Sequence, residues 1–177
     1  RFGNADKAFS FDGNNNYINF GTGMLEGDGE FSIMMWINTT STAISHILQK
    51  RDSNGVNGEY IVELTDNGTI RFWTYEVDSQ GERYKWTVTS SSAVNDGNWT
   101  HLAIVQKDNG GQMYLDGSLE DTDNSGGKVN LLSTIKTYIG GDLRDNRSYY
   151  SGKVDDLRIY NRALSASEIQ TLSTIID

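Results

Sequence analysis

Apolar positions along this chain come in short runs, and each run closes on glycine, asparagine, aspartate or serine. Phe31 to Ile37 (FSIMMWI) is aromatic, β-branched and unbroken, a strong strand signal. Ala8 to Phe11, Tyr17 to Phe20, Ile44 to Lys50, Glu59 to Leu64, Thr69 to Tyr75, Tyr84 to Thr89, Trp99 to Val105, Gln112 to Leu115, Thr137 to Ile139 and Gly152 to Tyr160 read as further strands. Turn chemistry separates them: Asp12-Gly13-Asn14-Asn15-Asn16, Asp66-Asn67-Gly68, Asn95-Asp96-Gly97-Asn98, Asp116-Gly117 and Gly140-Gly141. Turn signals recur every 8 to 15 residues without βαβ spacing, which predicts an all-β, two-sheet antiparallel sandwich. One short helix is expected at the C-terminus. There Ser165-Ala166-Ser167-Glu168 has the form of a capping box, leading a helix from Ala166 to about Leu172.

Length and composition sharpen this picture. The chain has 177 residues, enough for one full core, so residues 1–177 are read as a single domain. Glycine occurs 19 times and proline never, so glycine, asparagine and aspartate must turn the chain. The net charge of −9 argues against a nucleic-acid partner, which would need a basic face. Cysteine is absent, which removes disulfides and thiolate chemistry. No apolar run is long enough for a membrane span. Arg1 rather than Met opens the sequence, and the expectation is a domain of a longer chain. The lack of cysteine beside abundant Asn, Ser and Thr fits export by a bacterium.

Seven segments in order resemble one family, the laminin-G-like jelly-roll domains of the concanavalin A-like superfamily. They are Ala8 to Gly13 (AFSFDG), Phe31-Ser32-Ile33 with Trp36, Asp96 to Ala103 (DGNWTHLA), Tyr114 to Gly117 (YLDG), Ile139-Gly140-Gly141, Gly152 to Ser165 (GKVDDLRIYNRALS) and Glu168-Ile169. The resemblance implies a jelly-roll sandwich of the concanavalin A-like type. It also implies a non-catalytic module of a larger secreted enzyme or adhesin, one that often binds carbohydrate and often holds a structural calcium. Calcium takes six to eight oxygens. The loop at Asp12, Asn14 and Asn16 offers such oxygens, and Asp155 matches the family's acidic position in the last strand. By alternation Asp155 shares the inward face of Leu157 and Ile159, where a carboxylate needs a partner; a cation shared with the Asp12 loop would supply it. Without a cation, Asp12 closes an Asx turn and Asp155 pairs with amides or an arginine.

A ligand face is expected on Thr69 to Glu76. Ile70 and Phe72 fit the family's core positions, so Arg71, Trp73 and Tyr75 face away. An exposed Arg-Trp-Tyr strip suits a sugar: rings stack on its apolar faces and a guanidinium grips hydroxyl or acid groups. With Asp78-Ser79-Gln80-Gly81 as a four-residue loop, Tyr84 opposes Tyr75 and Trp86 opposes Trp73. A slip of one residue instead puts Arg83 and Lys85 on that face and turns Tyr84 and Trp86 inward. Both registers stand at this point. The loop from Asp142 to Tyr150 brings Arg144, Arg147 and Tyr149 as a candidate pocket wall.

Enzymatic readings find little support. Glycoside hydrolysis needs two carboxylates across a cleft. Asp155 and Asp156 are adjacent, and nothing completes a motif around Glu59 and Glu63. Lyase chemistry on this fold would want a His-Tyr-Arg-Gln set, and the chain has two histidines, His46 and His101, both read as structural. The sequence therefore points to a secreted or cell-surface, non-catalytic carbohydrate-binding module, its partners an oligo- or polysaccharide, anionic sugars included, and neighbouring domains. The alternative is a spacer domain without a sugar ligand.

Overall fold

The computed structural model describes residues 8–51, 58–77, 84–141 and 148–175. These residues form twelve strands and one helix: β1 (Phe9–Asp12), β2 (Ile18–Gly21), β3 (Phe31–Asn38), β4 (Ser45–Lys50), β5 (Glu59–Leu64), β6 (Thr69–Tyr75), β7 (Tyr84–Ala93), β8 (Thr100–Lys107), β9 (Gly110–Leu115), β10 (Ser118–Asp123), β11 (Thr137–Ile139), β12 (Ser151–Tyr160) and α1 (Ala166–Ser173). One sheet runs β1-β12-β3-β8-β9-β10 and the other β2-β11-β4-β5-β6-β7, with antiparallel pairing throughout. This is the expected two-sheet sandwich.

Alternation makes the core. Ile33, Met35 and Ile37 of β3 and Leu102 and Ile104 of β8 meet Tyr60, Val62, Ile70, Phe72, Trp86 and Val88 from the second sheet. β3 and β8 are buried on both faces because α1 covers the far side: Ile169 packs on Met34, Ala103, Val105 and Tyr114. Ser165 caps the helix and Glu168 reaches back to its amide, as the sequence signature requires. Glu168 also binds Arg162 at 2.7 Å, which holds its carboxyl down to about 2.

β10 has no counterpart among the expected strands. Its single large apolar residue, Leu119, is exposed. Asp116 (φ 49°) and Gly117 (φ 79°) form a two-residue left-handed turn that folds β10 back on β9, with Ser118 opposite Leu115.

A bulge in β12 overturns the expected direction of Asp155. Val154 faces Ile37 and Asp155 faces Trp36, but Arg158 faces Met34, so β12 carries one extra residue. Asp156, at φ 51°, takes the left-handed conformation there. Asp155 therefore lies on the outer side with Trp36, while Leu157 and Ile159 pack on the core.

Candidate functional site

The outer face of the second sheet carries the expected strip. Arg71, Trp73 and Tyr75 point away from the core, opposite Glu63, Ile61 and Glu59 of β5. Glu63 anchors the polar end. Arg71 Nη2 lies 2.7 Å from Glu63 Oε1, and His46 Nε2 lies 3.6 Å from Glu63 Oε2. Burial alone would raise the Glu63 carboxyl; the hydrogen bond from His46 and the charge of Arg71 more than offset it and hold it below its ordinary range. Glu59, also buried, lies 3.7 Å from Arg51 Nε, and the Arg51 guanidinium sits 5.6 Å from the Trp73 ring centre.

The pairing of β6 with β7 combines the two expected registers. Tyr75 faces Tyr84, as in the first, but Trp73 faces Thr87 and Arg71 faces Thr89, as in the second. Lys85 and Trp86 together stand opposite Thr74 in a bulge, whose hydroxyl bonds both the N–H and the C=O of Trp86. Trp86 consequently turns inward, and its expected place on the ligand face is corrected. Its ring lies 4.8 Å from that of Phe72, its indole N–H donates to Gln106 Oε1, and it is 1% exposed. Lys85 takes the outward position.

A pocket of about 410 Å³ opens over this bulge. Arg71, Trp73, Lys85 and Thr87 line it from the second sheet, Trp86 contributes to its base, and Asp123 and Ser125 close it from the end of β10. Lys85 Nζ lies 3.8 Å from Glu76. Asp123 is fully engaged. Its Oδ2 accepts the Thr87 amide at 2.8 Å, and its Oδ1 accepts the Ser125 amide and hydroxyl. Burial would raise this carboxyl, but the Ser125 hydroxyl and the two amides hold it below its usual range. Gly126 rests so closely on the bulge that a Cβ there would overlap the Lys85 carbonyl oxygen. Lys85 is among the basic residues that the sequence sets near the aromatic strip, whereas no apolar or aromatic pattern marks Thr87, Asp123 and Ser125.

Tyr149 does not line this pocket. Tyr149 makes a parallel bridge to His46 of β4, two strands from β6, and its ring covers Gly141. Two strand spacings are about 10 Å. Tyr150 belongs to the core. Arg144 and Arg147 lie outside the described residues, as do Arg83 and the loop from Asp78 to Gly81.

The calcium candidates are also parted. Asp12 faces Ser151, four positions along β12 from Asp155, a separation of about 13 Å along the strand. Asp12 Oδ1 accepts the Asn14 amide at 2.9 Å and Asn16 Oδ1 accepts the Asp12 amide at 3.3 Å, the geometry of an Asx turn. Asp155 Oδ1 accepts the Asp156 amide. Among the described residues no three His, Cys, Asp or Glu side chains converge as a metal site. His101 is buried against Trp36, and His46 is tied to Glu63.

Two stacked six-stranded antiparallel sheets with a flanking C-terminal helix define a lectin-like jelly roll with an open groove on one sheet. The chain belongs to the Laminin_G_3 family of the concanavalin A-like lectin/glucanases superfamily, whose sequence profile matches residues 12–170. Solved structures share the fold. Domain 4 of AbnA, a GH43 extracellular arabinanase from Geobacillus stearothermophilus solved with arabinotriose, aligns with a TM-score of 0.71 at 20% identity, over 97% of this chain and 79% of that one. The CBM40 of the Ruminococcus gnavus IT-sialidase, bound to α2,3-sialyllactose, aligns with a TM-score of 0.68 at 16% identity, over 90% and 97%. Mouse laminin α1 domains LG4-5 align with a TM-score of 0.70 at 14% identity, over 93% of this chain and 44% of that one.

Proposed function

We propose that this domain is a non-catalytic carbohydrate-binding module of a larger secreted or cell-surface protein, and that an oligo- or polysaccharide lies in the groove over Arg71, Trp73, Lys85 and Thr87. The observation that carries the reading is the pocket itself, an indole edged by two cationic donors on the outer face of a sheet. Trp73 offers a ring to the apolar face of a sugar, and Arg71 and Lys85 offer N–H donors to its hydroxyls. Two of the similar structures, the arabinanase domain with arabinotriose and the sialidase module with α2,3-sialyllactose, are sugar complexes, which supports the class of ligand.

Charge balance narrows the ligand. Arg71 already leans on Glu63 and Lys85 on Glu76, so a carboxylated or sulfated sugar must compete with resident acids. The domain's net charge of −9 adds long-range repulsion, screened beyond about 8 Å at physiological salt. A neutral glycan faces neither cost. The non-catalytic reading rests on Glu59 and Glu63: both are buried and already bound by Arg51, His46 and Arg71, so neither is poised to protonate a glycosidic oxygen.

The test is a glycan array of neutral and acidic oligosaccharides, followed by calorimetric titration of the hits. Neutral sugars are expected to bind at least as tightly as acidic ones of equal length. Trp73→Ala is expected to weaken binding at least tenfold, about 1.4 kcal/mol. A flat response across the array would leave the spacer reading in its place.

A further inference from the structure

β7 is the edge of one sheet and β10 the edge of the other, and the sandwich closes between them without a shared ladder. Three carboxylates of β10 make the closure. Asp123 Oδ2 accepts the Thr87 amide and Asp121 Oδ2 the Thr89 amide, each at 2.8 Å, and Glu120 Oε2 accepts the Ser91 amide at 2.9 Å and the Ser91 hydroxyl at 2.6 Å. Thr87, Thr89 and Ser91 are alternate residues, so their amides all point off the same edge of β7. A bulge between Leu119 and Asp121 frees Glu120 to join the two aspartates on that side. The outward amides of an edge strand are a template for another chain, and here each meets a carboxylate instead.

We propose that these carboxylates form an ionisable latch, and that its last member, Asp123, is a positioning residue that holds one wall of the binding groove. This rests on the groove being the ligand site. Protonation turns each acceptor into a neutral acid with a weaker hold on an amide. With Asp123 neutral, Ser125 and the Gly126 segment lose their tie to Thr87, and the wall made by Asp123 and Ser125 parts from the floor made by Trp73 and Lys85. Arg71 and Lys85 are the charged groups facing Asp123 across the groove. β9 brings Tyr114, uncharged through this range, beside Leu119, and α1 brings only Glu168, which Arg162 holds. The Ser125 hydroxyl and the Thr87 and Ser125 amides favour the ionised form of Asp123, and the Ser91 hydroxyl and amide that of Glu120, so the latch opens only in acid. The same chemistry that seals the sheet edge then sets the pH below which the groove loses its shape.

Amide exchange read by NMR tests the latch without any sugar. In the native domain, protection at Thr87, Thr89 and Ser91, corrected for intrinsic rates, is expected to fall about threefold or more between pH 7 and about pH 3, while Ile33 and Ile104 in the core stay protected. Asp123→Asn keeps an acceptor that does not titrate, so Thr87 protection in that variant is expected to be flat over the same range. Asp123→Ala at pH 7 is expected to expose the Thr87 and Trp86 amides to the neutral relaxation agent TEMPOL with Ile33 unchanged, a readout that holds even if acid unfolds the whole domain. Protection at Thr87 that ignores pH, or an Asp123→Ala variant indistinguishable from the native domain, overturns the latch. An array hit that keeps its affinity in Asp123→Ala overturns the positioning role and spares the binding reading. An array without hits removes the binding reading while the exchange data still judge the latch.

Discussion

Replacing Trp86 by alanine separates a core residue from a binding residue. Trp86 is 1% exposed, its ring lies tilted against that of Phe72 at 4.8 Å, and it packs on Gly111, where a Cβ would run into the ring. Truncating a buried tryptophan costs about 3–5 kcal/mol, because a cavity the size of an indole cannot collapse in a rigid sandwich. The lost hydrogen bond adds little. Gln106 Oε1 keeps the Val129 amide at 3.0 Å, so no buried acceptor is stranded. At roughly 2–4 °C per kcal/mol for a domain of this size, the melting temperature is expected to fall by about 6–20 °C. Trp73 is half-buried, and Trp73→Ala is expected to cost less than about 1.5 kcal/mol in stability while it removes the stacking surface of the groove. Urea titration followed by circular dichroism measures the first effect, and calorimetry on the best array hit measures the second. If Trp86→Ala loses under about 1 kcal/mol, or loses binding while its melting curve is unchanged, the β7 bulge is wrong and the indole faces the ligand.

Four further outcomes follow from the same geometry. Gly111→Ala is expected to destabilise by about 1–3 kcal/mol through overpacking against Trp86, and a double variant with Trp86→Phe should recover part of the loss, read from urea midpoints. Lys50 is fully buried with Nζ on the Met24 and Ile135 carbonyls at 3.1 and 3.0 Å, so Lys50→Met should cost about 2 kcal/mol by stranding both acceptors. Glu63 has a lowered folded-state pKa, so its contribution is complete above its unfolded value near 4.5 and is lost as pH falls through the folded one. Melting temperature against pH should accordingly fall less steeply below about pH 4.5 in Glu63→Gln than in the native domain. For calcium, Asp12 and Asp155 are parted, so of these two expected holders the Asp12 loop would have to keep the ion by itself. An ion there should add about 2.7 kcal/mol of stability at a hundred times its Kd and so raise the melting temperature over chelator, in native and Asp155→Ala domains but not in Asp12→Ala. No shift in the native domain leaves that loop a plain turn.

Strand existence was legible wherever a strand buries something. β5, β6 and β11 stand at their expected bounds because each alternates or runs apolar, and the cap at Ser165 because its chemistry is local. What escaped is what bulges decide. In β12 the left-handed Asp156 sends Asp155 to the outer face, and in β7 the Lys85–Trp86 pair moves an indole from groove to core. An extra residue leaves alternation intact on either side and reverses it across the join, so a reading that counts by two is right locally and wrong over the whole strand. β10 was missed for a different reason. It buries no large side chain, and its hold on the fold is three carboxylates on the main-chain amides of another strand. Such bonds bear no periodic mark, and Glu120-Asp121-Thr122-Asp123 reads as a solvated acidic turn. Yet this segment supplies the groove wall. The aromatic and arginine half of the site announced itself because stacking needs particular residue types; the half that shapes it did not, because any short carboxylate in reach of β7 would serve.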